Sequence, residues 1–217
     1  GIDYIISDRF VIREKDEKFY SENIIFLTNC YYPRDNSRKI SDKKFFREKF
    51  KIPENSFVFC SFNSAYKITK DEFKIWMELL VQVKNSVLLL LASDNKMKLN
   101  LIKEAKKADI ESKRLIFLEK TNLDDHLSRH SLADLFLDSF NCNAHTSAVD
   151  ALWAGLPILT KAGNSFASRI CGSLMNYFDM SELVVDSEEE YLSKAKDLAT
   201  DQKKYRNIKD RITNAKK

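Results

Sequence analysis

Glycine is scarce in this chain of 217 residues, with 4 in all, and proline scarcer, with 3. A Gly-rich phosphate loop is therefore excluded. Neither G-x-G-x-x-G nor G-x-x-x-x-G-K-[ST] occurs, which removes the common dinucleotide and P-loop fingerprints. G-x-S-x-G is also missing, so there is no nucleophile elbow and the chain does not read as a hydrolase. The 4 cysteines (Cys30, Cys60, Cys142, Cys171) lie far apart without C-x-x-C spacing. They read as free, buried thiols in a reducing compartment. No apolar run is long enough to span a bilayer; the longest, around Ser86 to Leu91, falls far short. The start, Gly1-Ile2-Asp3-Tyr4, lacks the charged and apolar regions of a signal peptide. Together these predict a cytoplasmic protein with no membrane partner. There is no initiator Met, and the chain opens directly on the strand-like Tyr4-Ile5-Ile6-Ser7, as a piece of a longer polypeptide would.

The chain is 44% hydrophobic and 31% charged, which suits one soluble globular core. Its 36 basic and 32 acidic residues leave a net charge of only +4. That balance implies no general affinity for nucleic acid. The basic cluster from Arg34 to Lys51 is interrupted by Asp35, Asp42 and Glu48 and reads as a solvated helix face.

Short apolar runs alternate with amphipathic stretches. The predicted strands are Tyr4–Ser7, Ile24–Leu27, Phe57–Phe62, Val87–Leu91, Leu115–Leu118, Leu135–Leu137, Ile158–Thr160 and Leu183–Val185. Several are apolar almost throughout, as parallel strands covered on both faces must be. Helices are predicted over Ser41–Phe50, with Ser41 as N-cap, and after the capping box Thr69-Lys70-Asp71-Glu72. In the second, Phe73, Trp76, Met77, Leu80 and Val81 recur at helical spacing. Further helices are predicted over Lys96–Lys107, Leu123–Arg129, Ser147–Ala154, Phe166–Met175, Glu188–Ala199 and from Gln202 to near the end. Strand–helix alternation of this kind gives an α/β fold, a Rossmann-like doubly wound parallel sheet with right-handed crossovers. Cys30 to Lys39, with Pro33, Asp35, Asn36 and Ser37, is the best boundary candidate.

Four clusters fall just past the carboxyl ends of predicted strands, where such a sheet binds ligands. Phe62-Asn63-Ser64-Ala65-Tyr66-Lys67 follows the first strand of the main alternation. Lys67 there can reach a diphosphate and stabilise a leaving group, or be a solvated lysine before a helix. His126 and Arg129 are three apart on a short helix and share a face that can hold a nucleobase, or they are polar surface. His126 and His130 are four apart, but no H-E-x-x-H pattern or third ligand accompanies them, so no metal is expected. The third cluster runs from Cys142 to Pro157. It begins a helix with His145, Thr146 and Ser147 and closes it with Gly155. Hydroxyls and an imidazole at a helix start suit a phosphate or diphosphate, or Thr146 or Ser147 is an ordinary N-cap. Asp150, one turn on, can accept from ribose hydroxyls. The fourth is Thr160 to Arg169, where Ser165 reads as a cap and Arg169 as a helix residue.

Taken in order, these segments resemble the C-terminal catalytic lobe of the O-linked N-acetylglucosamine (O-GlcNAc) transferases, the family that includes SPINDLY-like proteins. The resemblance is carried by Phe59 to Ile68, Asn85 to Leu90, Arg114 to Phe117, Leu132 to Asp138, Cys142 to Ser147, Asp150 to Pro157 and Ala167 to Arg169. It covers about Phe57 to Lys217, and Tyr4 to Asp8 and Tyr20 to Glu22 resemble the end of the family's preceding lobe. It implies a glycosyltransferase B-type fold, with residues 1–40 the end of the N-terminal lobe and linker and 41–217 the nucleotide-sugar lobe. It further implies an inverting, metal-independent transfer from UDP-N-acetylglucosamine to Ser or Thr hydroxyls of an acceptor protein, with no cofactor. By motif position Lys67 and His145 are then catalytic, Lys67 stabilising the departing diphosphate. Ser64, His126, Arg129, Thr146, Ser147 and Asp150 bind substrate: diphosphate at Thr146 and Ser147, ribose at Asp150, uracil at His126 and Arg129.

The chain departs from the family at three positions. Ser64 stands where Gln is usual, Leu123 where a basic residue is expected, and Asn29 where a His or an acidic residue is expected. The bulk of the N-terminal lobe and the tetratricopeptide repeats that present protein substrates are not in this sequence, so catalysis by the chain alone is not expected. A GDP-fucose-dependent protein O-fucosyltransferase and a non-catalytic nucleotide-binding or interaction module are the alternatives.

Overall fold

The apolar runs become parallel strands. In a computed structural model, which describes residues 1–33, 35, 37–92 and 94–215, eight strands and seven α-helices follow one another. They are β1 (Tyr4–Ser7), β2 (Asn23–Phe26), β3 (Phe57–Ser61), α1 (Lys70–Gln82), β4 (Ser86–Leu91), α2 (Asn95–Lys107), β5 (Leu115–Leu118) and α3 (Leu123–Arg129). Then come β6 (Leu135–Leu137), α4 (Thr146–Ala154), β7 (Ile158–Lys161), α5 (Ile170–Tyr177), β8 (Val184–Val185), α6 (Glu188–Thr200) and α7 (Gln202–Ala215). Six strands form one sheet in the order β5-β4-β3-β6-β7-β8, every pair parallel. Phe59 of β3 lies opposite Leu88 of β4 and Leu135 of β6, all fully buried.

That order decides where a ligand goes. From β3 the chain winds outward through β4 to β5, returns to β6 beside β3, and winds outward the other way. The direction reverses between β3 and β6. Right-handed crossovers then put helices on both faces and leave a crevice past the carboxyl ends of those two strands. The core under it is built from Trp76, Leu79 and Leu80 of α1, the inner strands, and Tyr191 of α6.

β1 and β2 form a separate two-stranded parallel sheet, Ile5 opposite Ile24. It packs on a small cluster of Val11, Ile12 and Ile170. The Asp8 carboxylate pins this part to α5. It accepts from the Val11 and Tyr31 N–H groups at 2.9 and 3.0 Å and from the Ser173 hydroxyl at 2.6 Å. Gly172 allows the approach, because a Cβ there would collide with the Phe10 ring.

Three expectations need correction. Ser41–Phe50 is no helix; only a 3-10 turn, Arg47–Phe50, forms there. The segment's polar groups are taken by α3 instead. The Ser41 N–H donates to Asp124 O at 3.2 Å, Lys43 pairs with Asp125 at 2.7 Å, and Ser128 donates to Lys43 O at 2.6 Å. Of the basic residues in this stretch, Arg38 and Arg47 pair with Asp150 and Asp134, while Lys39, Lys44, Lys49 and Lys51 are exposed, so the face is solvated in part but is not a helix; Arg34 and Asn36 lie outside the described residues. The second is Phe166–Met175, which splits into a 3-10 turn, Phe166–Ser168, and α5. Ser165 and Ser168 cap one another reciprocally, and Arg169 turns out of the helix to donate to Phe10 O and Gly163 O at 2.8 and 3.0 Å. The third is Val81, which is exposed, while Ile75 and Leu79 complete the apolar face of α1.

Candidate functional site

β3 ends at Ser61, and the chain leaves the sheet through Phe62 and Asn63 into a 3-10 turn, Ala65–Lys67. The capping box of Thr69 and Glu72 then starts α1. Glu72 is fully buried, and its second oxygen accepts the Phe140 N–H at 2.8 Å, so one carboxylate ties the Lys67 turn to the loop after β6. Burial raises the Glu72 pKa against those hydrogen bonds. Held this way, Lys67 points across the crevice and donates through Nζ to Asn143 O at 2.9 Å.

Asn143 lies on the loop that enters α4. Behind that loop sits Asp138, fully buried at the end of β6. It accepts from the Ser139 and Ala144 N–H groups at 2.8 and 2.6 Å, from Thr160 Oγ1 at 2.6 Å and from Asn63 Nδ2 at 3.2 Å. Burial raises its pKa while these donors oppose the rise. Neither Thr146 nor Ser147 caps α4. His145 stands at the N-cap, and no side chain bonds the first turn. The Ala148 N–H donates to His145 O at 3.0 Å, while the Thr146 and Ser147 N–H groups and the positive end of the dipole are left to an outside acceptor. The Thr146 hydroxyl meets Tyr32 Oη at 2.8 Å, and the Ser147 hydroxyl donates to Asn63 Oδ1 at 2.7 Å. His145 Nε2 and Asn143 Oδ1 are buried without a hydrogen-bond partner among the described residues. Burial, and after it the Lys67 charge, pushes the His145 pKa down against a hydrogen bond to the Ala167 backbone, and so favours the neutral imidazole.

One turn into α4, the Asp150 carboxylate is paired with Arg38, whose carbonyl accepts Trp153 Nε1 at 3.1 Å. On the other flank, Phe62 stacks near His126 and His130, ring centroids 5.4 and 4.9 Å away. Arg129 donates through Nε to His126 Nδ1 at 2.9 Å and through a terminal nitrogen to Glu119 O at 2.5 Å. Burial drives the His126 pKa down to about 4 and that of His130 to about 3.

The expected residues therefore meet at one place. Lys67, His145, Thr146 and Ser147 converge across the switch point, with Asp150 behind them and His126 and Arg129 beside Phe62. Ser64 is on the Lys67 turn, side chain exposed, and its carbonyl accepts the Lys67 N–H at 3.0 Å. Among the described residues no three His, Cys, Asp or Glu side chains converge as metal ligands.

Residues 41–217 match the profile of glycosyl transferase family 41. The chain belongs to that family. A relative from Arabidopsis thaliana, named "Probable UDP-N-acetylglucosamine--peptide N-acetylglucosaminyltransferase SEC", is 33% identical over 209 residues, 94% of this chain. A Caenorhabditis elegans UDP-N-acetylglucosamine--peptide N-acetylglucosaminyltransferase is 32% identical over 166 residues, 76% of this chain. The chain spans 21% and 14% of those two relatives. Among solved structures, a mutant of the Thermobaculum terrenum O-GlcNAc transferase superposes with a TM-score of 0.86 at 22% identity. The match covers 98% of this chain and 40% of that one, and shows a shared fold.

Within this family 41 fold, the holding roles of Asn63, Asp138, Tyr32 and Arg38 were not read from the sequence, and Glu72 was read only as the capping-box partner of Thr69. Asn63 and Asp138 each directly follow or end an apolar strand run. A polar residue at that position was the available signal, since it must either be solvated or find partners at the sheet rim.

Proposed function

We propose that this chain is the nucleotide-sugar-binding part of an O-GlcNAc transferase-like enzyme, an inverting and metal-independent transferase from UDP-N-acetylglucosamine to Ser or Thr hydroxyls of proteins. The observation that carries the reading is the Lys67 ammonium, 2.9 Å from the carbonyl of Asn143, facing a helix start that no side chain caps. A diphosphate between them meets a full positive charge on one side and the α4 dipole and N–H groups on the other.

When an acceptor hydroxyl attacks the anomeric carbon, the sugar–oxygen bond breaks and its electron pair stays on the diphosphate. Preorganised donors aimed at that developing charge lower the barrier, in the role a divalent ion plays elsewhere. Lys67 and Thr146 with the first-turn N–H groups supply them. His145, whose neutral form burial favours, contributes a hydrogen bond. Arg38 occupies one oxygen of Asp150 and leaves the other to the ribose. His126 and Arg129 lie beside Phe62, where a uracil ring can stack and bond, and Ser64 edges the diphosphate from the Lys67 turn. Residues 1–40 are assigned to the end of a preceding lobe, with 41–217 the nucleotide lobe. The acceptor site then lies on parts of the longer relatives that this chain does not span.

Calorimetry in EDTA tests this, with UDP, UDP-N-acetylglucosamine, GDP and GDP-fucose as titrants. Tight binding of the uridine pair and weak binding of the guanosine pair is expected. Preference for the guanosine pair would instead assign a fucosyl donor.

A further inference from the structure

Ser147 and its neighbours form a chain of hydrogen bonds whose directions can be worked out from one end. The Ser139 hydroxyl donates to Cys142 O at 2.7 Å, so toward Asn63, 2.9 Å away, it can only accept. The Asn63 group that faces it is therefore the amide nitrogen, which also donates to the Asp138 carboxylate at 3.2 Å. A flipped amide would set oxygen against oxygen at both contacts. The Asn63 oxygen must then face Ser147, and the Ser147 hydroxyl must give it its single proton, at 2.7 Å. Asn63 is 3% exposed and Asp138 and Ser139 are fully buried, so water does not compete for the bonds among these three; Ser147, at the end of the chain, is half-buried.

We propose that Asn63 is a positioning residue for the nucleotide site, and that Ser147 acts on the diphosphate through it rather than by donating to it. With its proton committed inward, the Ser147 oxygen has only lone pairs left, which a phosphate oxygen does not accept. What the pair does instead is brace the start of α4 against the end of β3, the two elements that carry the diphosphate donors. This inference rests on the reading of the crevice as a uridine diphosphate site and assigns the work within it.

The test is a double-mutant cycle on the full chain, read as UDP affinity by calorimetry. Asn63→Ala and Ser147→Ala each break the same hydrogen bond and are each expected to weaken UDP about fivefold, the worth of one neutral hydrogen bond. The double variant is expected to lose no more than the weaker single, within about twofold, because both remove one brace. Effects that multiply would show Ser147 donating to the ligand on its own and would overturn the proposal. So would Asn63→Ala binding UDP as the wild type does while Lys67→Ala loses affinity; that pattern leaves the site assignment standing. A wild-type chain that fails to bind UDP would instead sink the assignment itself. Should Asn63→Ala not fold, the Ser147 hydroxyl proton in the wild type gives the answer by NMR. It is expected to stay coupled to Asn63 at saturating UDP, and its release would contradict the brace.

Discussion

Lys67 Nζ has one hydrogen bond to a neutral carbonyl, a modest partner for an ammonium beside a helix start. A diphosphate offers a far stronger one, since charge-assisted bonds are worth about 1.5–3 kcal/mol. Lys67→Ala is thus expected to weaken UDP roughly 10- to 100-fold in a calorimetric titration, with thermal stability nearly unchanged. His126 and His130 make a prediction of a different kind. Their folded pKa values, about 4 and about 3, lie below the ordinary histidine value of 6.5. The unfolded chain therefore binds protons first as pH falls, and stability is full above pH ~6.5 and lost toward pH ~3. Urea midpoints are expected to fall between pH 7 and pH 4.5, and to fall less steeply in His126→Gln/His130→Gln. An equal slope in that variant would remove these imidazoles as the cause. At this scale Lys67, His145, Thr146 and Asp150 were legible as candidates, because they lie in segments that follow strand ends. Asn63, Asp138 and the Phe140 contact of Glu72 stayed hidden, because only burial and distant partners give them their roles.

α4 is the element on which the site turns. It runs nine residues from an uncapped start to Gly155, whose φ of 81° lies in the left-handed region. Its N–H closes on Ala151 O and Leu152 O. Gly155→Ala is expected to cost about 1 kcal/mol, the penalty of a Cβ at positive φ, measured by urea unfolding. Loss of UDP affinity beyond what that destabilisation produces would mean the far end of α4 also sets the donor geometry. Elements were legible where local pattern and tertiary packing agreed. The strand runs and the Thr69 capping box are such cases. Ser41–Phe50 had helical patterning but lost to hydrogen bonds from α3, which no local period encodes. The helix predicted from Phe166 starts only after Arg169, whose guanidinium is held by the carbonyls of nearby Gly163 and distant Phe10.

Across the whole molecule, the strand order puts Lys67 and α4 on either side of one crevice. The alternation of strands and helices was enough to foresee a doubly wound sheet, and handedness rules left few other arrangements. The Arg38 contact with Asp150 was not foreseeable, since 112 residues separate them. A ligand that binds the folded state alone raises its stability, by about 2.7 kcal/mol at a hundred times its Kd. UDP is therefore expected to raise the thermal midpoint by several degrees with EDTA present, and equally with magnesium added. A rise that requires magnesium would contradict a metal-independent site. The most direct measurement of the central claim is an amide NMR map of the chain titrated with UDP. The account predicts that the largest shifts fall at Thr146, Ser147 and Ala148 and along Asn63 to Lys67. Shifts confined to any other face, with those amides unmoved at saturation, would contradict it.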